Sequence, residues 1–190
     1  MKKDVPFIFT LPGVVVATLA ILLIPFVAMQ FTEEVNWSPA DFIIMGVLIF
    51  STGLAYTLIT RYMPNLIHKA AYAGAVGSTF LLIWVNIAVG LIGGGPHVGN
   101  FMYIGVVAVV IIGTYLSRFT AKGMELTMFA ATGTLVLIAI IALMAGMQDY
   151  PGSSVMEIIG VNAFFAVLFA VSGLLFRFIS IAQPEQKANS

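Results

Sequence analysis

Of 190 residues, 61% are hydrophobic and 8% charged, against roughly 25% charged in a soluble domain; a mean hydropathy of +1.07 excludes a water-soluble fold. Eight Lys and Arg balance eight Asp and Glu, so no basic footprint marks a nucleic-acid partner. The absence of cysteine removes disulfides, thiolate metal sites and thiol nucleophiles.

The charged start MKKDV precedes an apolar run from about 11 to 30. Cleavage of this run as a signal peptide would follow Ala28 and put bulky Phe26 where a small residue is wanted. The run also exceeds a signal core of roughly 7–15 residues. A retained first span is expected, with Pro12 tolerated near its start and Pro25 kinking or fraying its end. Ser38-Pro39-Ala40-Asp41 reads as a capping box with proline at the first helical position. It opens a second span over 39–60, stopped by Arg61-Tyr62-Met63-Pro64.

The third span covers about 69–92. Small residues recur along it at Ala70, Gly74 and Ser78, and again at Ala73 and Gly77, a spacing that lets helix backbones approach in lipid. Gly93-Gly94-Gly95-Pro96 closes it in a turn expected to be flexible. A fourth span over 100–117 carries Gly105 and Gly113, and a fifth covers 124–146. The sixth, 155–178, opens on Ser154-Val155-Met156-Glu157, a second capping box. Its Ala163, Ala166, Ala170 and Gly173 form a smooth stripe expected to be the main helix-packing face. The polar residues 179–190 are expected to be disordered. The predicted fold is all-α: one transmembrane domain, 1–190, built as a six-helix bundle.

Lys2, Lys3, Arg61, Lys69, Arg118, Lys122, Arg177 and Lys187 all fall on one side of this six-span arrangement. The loops at about 31–37, 93–99 and 147–153 contain no Lys or Arg. The positive-inside rule then predicts both termini in the cytoplasm. Lys69 to Gly93 and Lys122 to Gly146 repeat one spacing, which fits a duplicated hairpin but is better explained by the shared thickness of the bilayer.

Glu33, Glu34, Asp41, Asp149 and Glu157 make the outer face acidic, with His97 its one candidate cation. A cation-concentrating vestibule is one reading. The preferred reading is structural, since Asp41 and Glu157 stand at capping positions. No ionisable side chain is expected at mid-bilayer, which counts against a pump. Asn86 and Asn162 enter the outer halves of their spans and must find partners there. They either line an outward polar pocket with Trp84, Asn100 and Tyr103 or act as interhelical glue, the commoner role. His68 and His97 are too far apart to share haem iron or zinc, so neither metal nor cofactor is expected. Trp37, Tyr103 and Tyr150 on one side, with Tyr62 and Tyr115 on the other, fit interfacial belts. GLIGGGPHVG lacks the ending of a phosphate loop and follows a helix.

The stretch AMQFTEEVNWSPADFIIMGVLIFSTGLAY (28–56), with NFMYIGVV and VNAFFAVLFAVSGLLFRF further on, resembles a group of short polytopic bacterial inner-membrane proteins with no known activity. The resemblance implies a multi-pass protein of the bacterial plasma membrane and transfers no functional residue. The expected role is a non-enzymatic accessory or scaffold subunit whose partners are the lipid bilayer and either itself or other membrane subunits. The alternative is a small channel or carrier with the outward pocket. A membrane enzyme ranks third, because no nucleophile–base pair is in reach.

Overall fold

A computed structural model describes residues 7–61, 63 and 65–188, with side chains over 11–61, 63 and 65–182. Lys2, Lys3, Tyr62 and Pro64 lie outside the described residues, as does the side chain of Lys187. Among the described residues all regular structure is helical, and six helices are long and apolar enough to cross a membrane. They are α1 (Phe7–Ala28), α2 (Pro39–Thr60), α3 (Leu66–Ala88), α4 (Tyr103–Ser117), α5 (Ala121–Met144) and α6 (Val155–Ala188). The chain divides into two compact units, residues 1–62 and 63–190.

The first unit is the α1–α2 hairpin. α1 runs through both of its prolines and ends one turn after Pro25, as transmembrane helices tolerate proline when neighbouring groups satisfy the freed carbonyl. α2 starts on the capping box expected for it. The Ser38 N–H donates to Asp41 Oδ2 at 2.7 Å, and the Asp41 N–H donates to Ser38 Oγ at 3.3 Å. Gly46 and Gly53 sit one heptad apart and let α1 approach. A Cβ there would stand 3.3 Å from Leu22 Cδ1 and 3.1 Å from Val14 Cγ1. Near the hairpin's closed end, Phe42 takes Trp37 and Phe26 edge-on at 5.3 and 6.3 Å.

The second unit is organised on α6. Its buried seam is Ile158, Asn162, Phe165, Phe169, Ser172, Phe176 and Ile179, in alternating steps of four and three, with Gly173 buried beside Ser172. α5 shows the same steps at Met124, Met128, Ala131, Leu135, Ile138 and Ala142, and α3 at Ala71, Ala75, Ser78 and Leu82. These are heptad seams, the pattern by which helices interdigitate at shallow angles. Hydrogen bonds tie the seams together. Ser172 Oγ donates to the Ala71 carbonyl at 2.9 Å, and Thr132 Oγ1 to the Ala166 carbonyl at 3.3 Å. Tyr72 meets Phe176 edge-to-face at 4.9 Å. A Cβ on Gly74 would stand 3.1 Å from Ser172 Cβ, so α3 and α6 touch almost backbone to backbone.

Several boundaries differ from expectation, among them the end of α3 at Ala88 rather than about 92 and α5 over Ala121–Met144 rather than 124–146. α3 begins at Leu66 rather than Lys69, because Asn65 caps it by accepting from the His68 N–H at 3.1 Å. The fourth span, expected over 100–117, opens in a 3-10 turn, Val98–Met102, before α4. α6 continues to Ala188, so residues 179–188, expected to be disordered, are helical. Pro184 removes one backbone bond from this stretch, but Gln183, Glu185, Gln186, Lys187 and Ala188 are serviceable helix formers, and extending an existing helix carries no nucleation cost.

The two ends of this unit are chemically distinct. Tyr72 OH donates to the Phe119 carbonyl at 2.9 Å, and Ser180 Oγ to Glu125 Oε2 at 3.3 Å. The start of α3, the α4–α5 turn and the late part of α6 therefore share one end. Lys69, Arg118 and Lys122 lie at that end, with Arg177 one turn before Ser180. At the other end the His97 and Tyr150 rings lie 4.3 Å apart, joining the α3–α4 and α5–α6 connections.

Candidate functional site

The α3–α4 connection is built around Asn100. Its Oδ1 accepts from the Leu91 N–H at 2.9 Å and the Ile92 N–H at 2.8 Å, while its Nδ2 donates to the Ile92 carbonyl at 3.1 Å and the Gly95 carbonyl at 2.8 Å. One buried amide thus serves four backbone groups that would otherwise lack partners beside the membrane. Gly90 must be glycine for this to happen. Its φ is +72°, and a Cβ would collide with the Gly95 carbonyl and lie 2.8 Å from Asn100 Nδ2. The glycine-rich turn expected to be flexible is pinned.

Asn86 Nδ2 donates to the Asn100 carbonyl at 3.2 Å, closing α3 onto the start of the 3-10 turn. Beside this contact a groove of about 780 Å³ runs between α3 and α4. Asn86, His97, Asn100 and Tyr103 contribute to its walls, which are otherwise mainly apolar, with Leu82, Ile83, Ile104 and Val107 among them.

Of the five residues expected to form a polar pocket, Asn86, Asn100 and Tyr103 share this groove, whereas Trp84 and Asn162 do not. Trp84 is exposed and stacks on Phe80 at 6.0 Å. Asn162 is buried on the α6 seam. Its Nδ2 donates to Tyr103 OH at 3.1 Å and to the Ile158 carbonyl at 2.8 Å, and its Oδ1 has no partner among the described residues. The Asn162–Tyr103 bond ties α6 to α4. Such ties contribute only about 0.6–2 kcal/mol in a membrane. Tyr103→Phe should therefore lower the thermal stability of the purified chain modestly. Adding Asn162→Leu should recover most of the loss, since an apolar pair replaces a half-satisfied polar one. A double variant much less stable than Tyr103→Phe alone would contradict this.

The acidic residues stay separate in role. Asp41 caps α2, and Glu157 contributes its N–H to Ser154 Oγ at 3.1 Å at the start of α6. Glu33, Glu34 and Asp149 are exposed. The small-residue stripe of α6 is offset from the buried seam. Ala163 is exposed, Ala166 and Ala170 are half-buried, and Gly173 is buried with Met128 Cβ 3.2 Å from where its own Cβ would be.

One buried charge escapes notice in the sequence. Glu125, in the second turn of α5, is only 5% exposed, and its Oε2 accepts from Lys122 Nζ at 3.0 Å and from Ser180 Oγ at 3.3 Å. The available signal is the three-residue spacing from Lys122, which sets both on one helix face. Among the described residues, no three His, Cys, Asp or Glu side chains gather as metal ligands. Compared with protein-family models, with curated proteins and with solved structures, the chain matches none.

Proposed function

We propose that this multi-pass membrane protein is a non-enzymatic accessory or scaffold subunit of an assembly in a bacterial inner membrane, with its basic ends and both termini on the cytoplasmic side. The carrying observation is where the polar side chains of the second unit's spans terminate. Asn162 ends on Tyr103 and Ile158, Ser172 on Ala71, and Thr132 on Met128 and Ala166. The bonds to Tyr103, Ala71 and Ala166 hold helices to one another, and those to Ile158 and Met128 stay within one helix. None of these three side chains lines the groove between α3 and α4, which supports assembly over transport. Small residues on outward faces supply the docking positions. A Cβ at Gly77, Gly133 or Gly160 would meet nothing within 4 Å, and Ala163 lies one turn from Gly160 on an exposed face. Helices associate in lipid through such small residues.

The test is extraction of the full chain from its native membrane in mild detergent, followed by sizing and cross-linking. Wild type should run as a defined assembly, with itself or with other subunits. Gly77→Leu, Gly133→Leu and Gly160→Leu should keep the monomer's thermal stability, because the space is open, while at least one should dissolve the assembly. A monomer in every extraction would end this reading.

A further inference from the structure

The basic end of the second unit carries more charge than the chain itself neutralises. Among the side chains described in this unit, Lys69, Arg118, Lys122 and Arg177 lie at that end with Glu125 as their one carboxylate, since Asp149 and Glu157 belong to the other end. Glu125 is taken by Lys122 at 3.0 Å, whereas Lys69, Arg118 and Arg177 make no ion pair among the described residues. Lys69 is half-buried, and both arginines are exposed.

A row of rings gathers these three cations. The Tyr72 ring is centred 6.5 Å from Phe119 and 4.9 Å from Phe176. Lys69 stands one turn before Tyr72 on the same helix face. Arg118 precedes Phe119, and Arg177 follows Phe176. Exposed apolar side chains flank both arginines: Tyr115, Leu116 and Phe119 beside Arg118, and Phe178 and Ile181 beside Arg177.

The turn that carries Arg118 is strained. Arg118 and Phe119 have φ of +48° and +59°, a region that glycine enters freely and other residues only at a cost. Both side chains are exposed, so packing in the core does not account for a cation and an aromatic ring there. Strain kept at such a pair points to a role at the surface.

We propose that this end binds one anionic phospholipid of the leaflet it faces. The phosphate sits among Lys69, Arg118 and Arg177, and the acyl chains run toward mid-bilayer over Tyr115, Leu116 and Phe119. The occupant carries net negative charge because a zwitterionic headgroup brings its own ammonium and leaves the three cations uncompensated. It is a lipid because the cations stand at the ends of spans, at headgroup level, beside exposed apolar side chains. Binding of this kind needs a membrane and no assembly.

The test uses the full chain, stripped of lipid in detergent and titrated with palmitoyl-oleoyl phosphatidylglycerol or phosphatidylcholine while native mass spectrometry counts bound molecules. Wild type should hold one phosphatidylglycerol beyond the random distribution and no phosphatidylcholine. Lys69→Gln, Arg118→Gln and Arg177→Gln should each weaken that adduct roughly fivefold, the effect of one cation at a membrane surface. Thermal unfolding reports whether each variant is folded. Glu125→Gln, which frees Lys122, should tighten the adduct by a similar factor. Asp149→Asn makes the same change of charge at the opposite end and should leave it unaltered. Excess inorganic phosphate should not displace the lipid. The site is overturned if wild type binds both lipids alike or neither, or if the three folded glutamine variants of the cations bind as wild type does. It is overturned equally if Asp149→Asn tightens binding as much as Glu125→Gln, or if inorganic phosphate displaces the lipid, which would mark a site for a free anion.

Discussion

Asn100→Ala should destabilise the purified chain more than any other single polar substitution in the second unit. The amide is 8% exposed and serves four backbone groups of the preceding turn. Truncation leaves the N–H groups of Leu91 and Ile92 without an acceptor in a buried site, at about 1–3 kcal/mol each. Asn100→Asp separates the contributions. A carboxylate can still accept from Leu91 and Ile92, but its second oxygen then faces the Ile92 and Gly95 carbonyls, so the exchange of a donor for an acceptor should also be costly. Thermal unfolding of the full chain in detergent, followed by tyrosine and tryptophan absorbance, measures both. If Asn100→Ala unfolds with wild type, the turn is held by something other than this amide.

That amide illustrates which parts of the molecule are legible in the sequence. The spans are legible because crossing lipid demands long apolar runs and leaves few alternatives. Helix starts are legible where a serine cap and an acid announce them, as at Ser38 with Asp41, and less so at Asn65, whose capping role shows only in the bond it accepts from His68. Asn100 is visible as a polar residue in an apolar stretch. Its partners are not, because they are backbone groups of a glycine-rich turn whose path no side-chain pattern specifies.

The buried face of α6 is the harder case. In a soluble helix the apolar stripe marks the core. Here Phe164 and Phe178 are exposed while Phe165, Phe169 and Phe176 are buried, and hydrophobicity cannot separate them because lipid and protein interior are equally apolar. Small residues then become the natural guide, and they point to an edge of the seam instead of its centre. The informative residues on that helix are Asn162 and Ser172, polar groups that have to face protein.

Gly113 should be the second position of large effect. Its absent side chain allows α4 to lie directly on α5: a Cβ there would fall 2.5 Å from Thr127 Cγ2, 2.7 Å from Oγ1 and 3.1 Å from Cβ. Thr127 cannot rotate aside freely, because its Oγ1 donates to the Gly123 carbonyl at 2.9 Å and the residue is only 5% exposed. Gly113→Ala therefore has to separate the two helices, and overpacking of this kind costs about 1–3 kcal/mol, more for Gly113→Leu. Helix propensity works in the opposite direction by about 1 kcal/mol, so a measured loss understates the steric penalty. A double-mutant cycle isolates the collision. Thr127→Ala removes both atoms nearest the new Cβ and should restore most of what Gly113→Ala loses, with a coupling of about 1 kcal/mol or more between the two sites. Strictly additive effects, or Gly113→Ala more stable than wild type, would mean that α4 and α5 are not in contact at this pair.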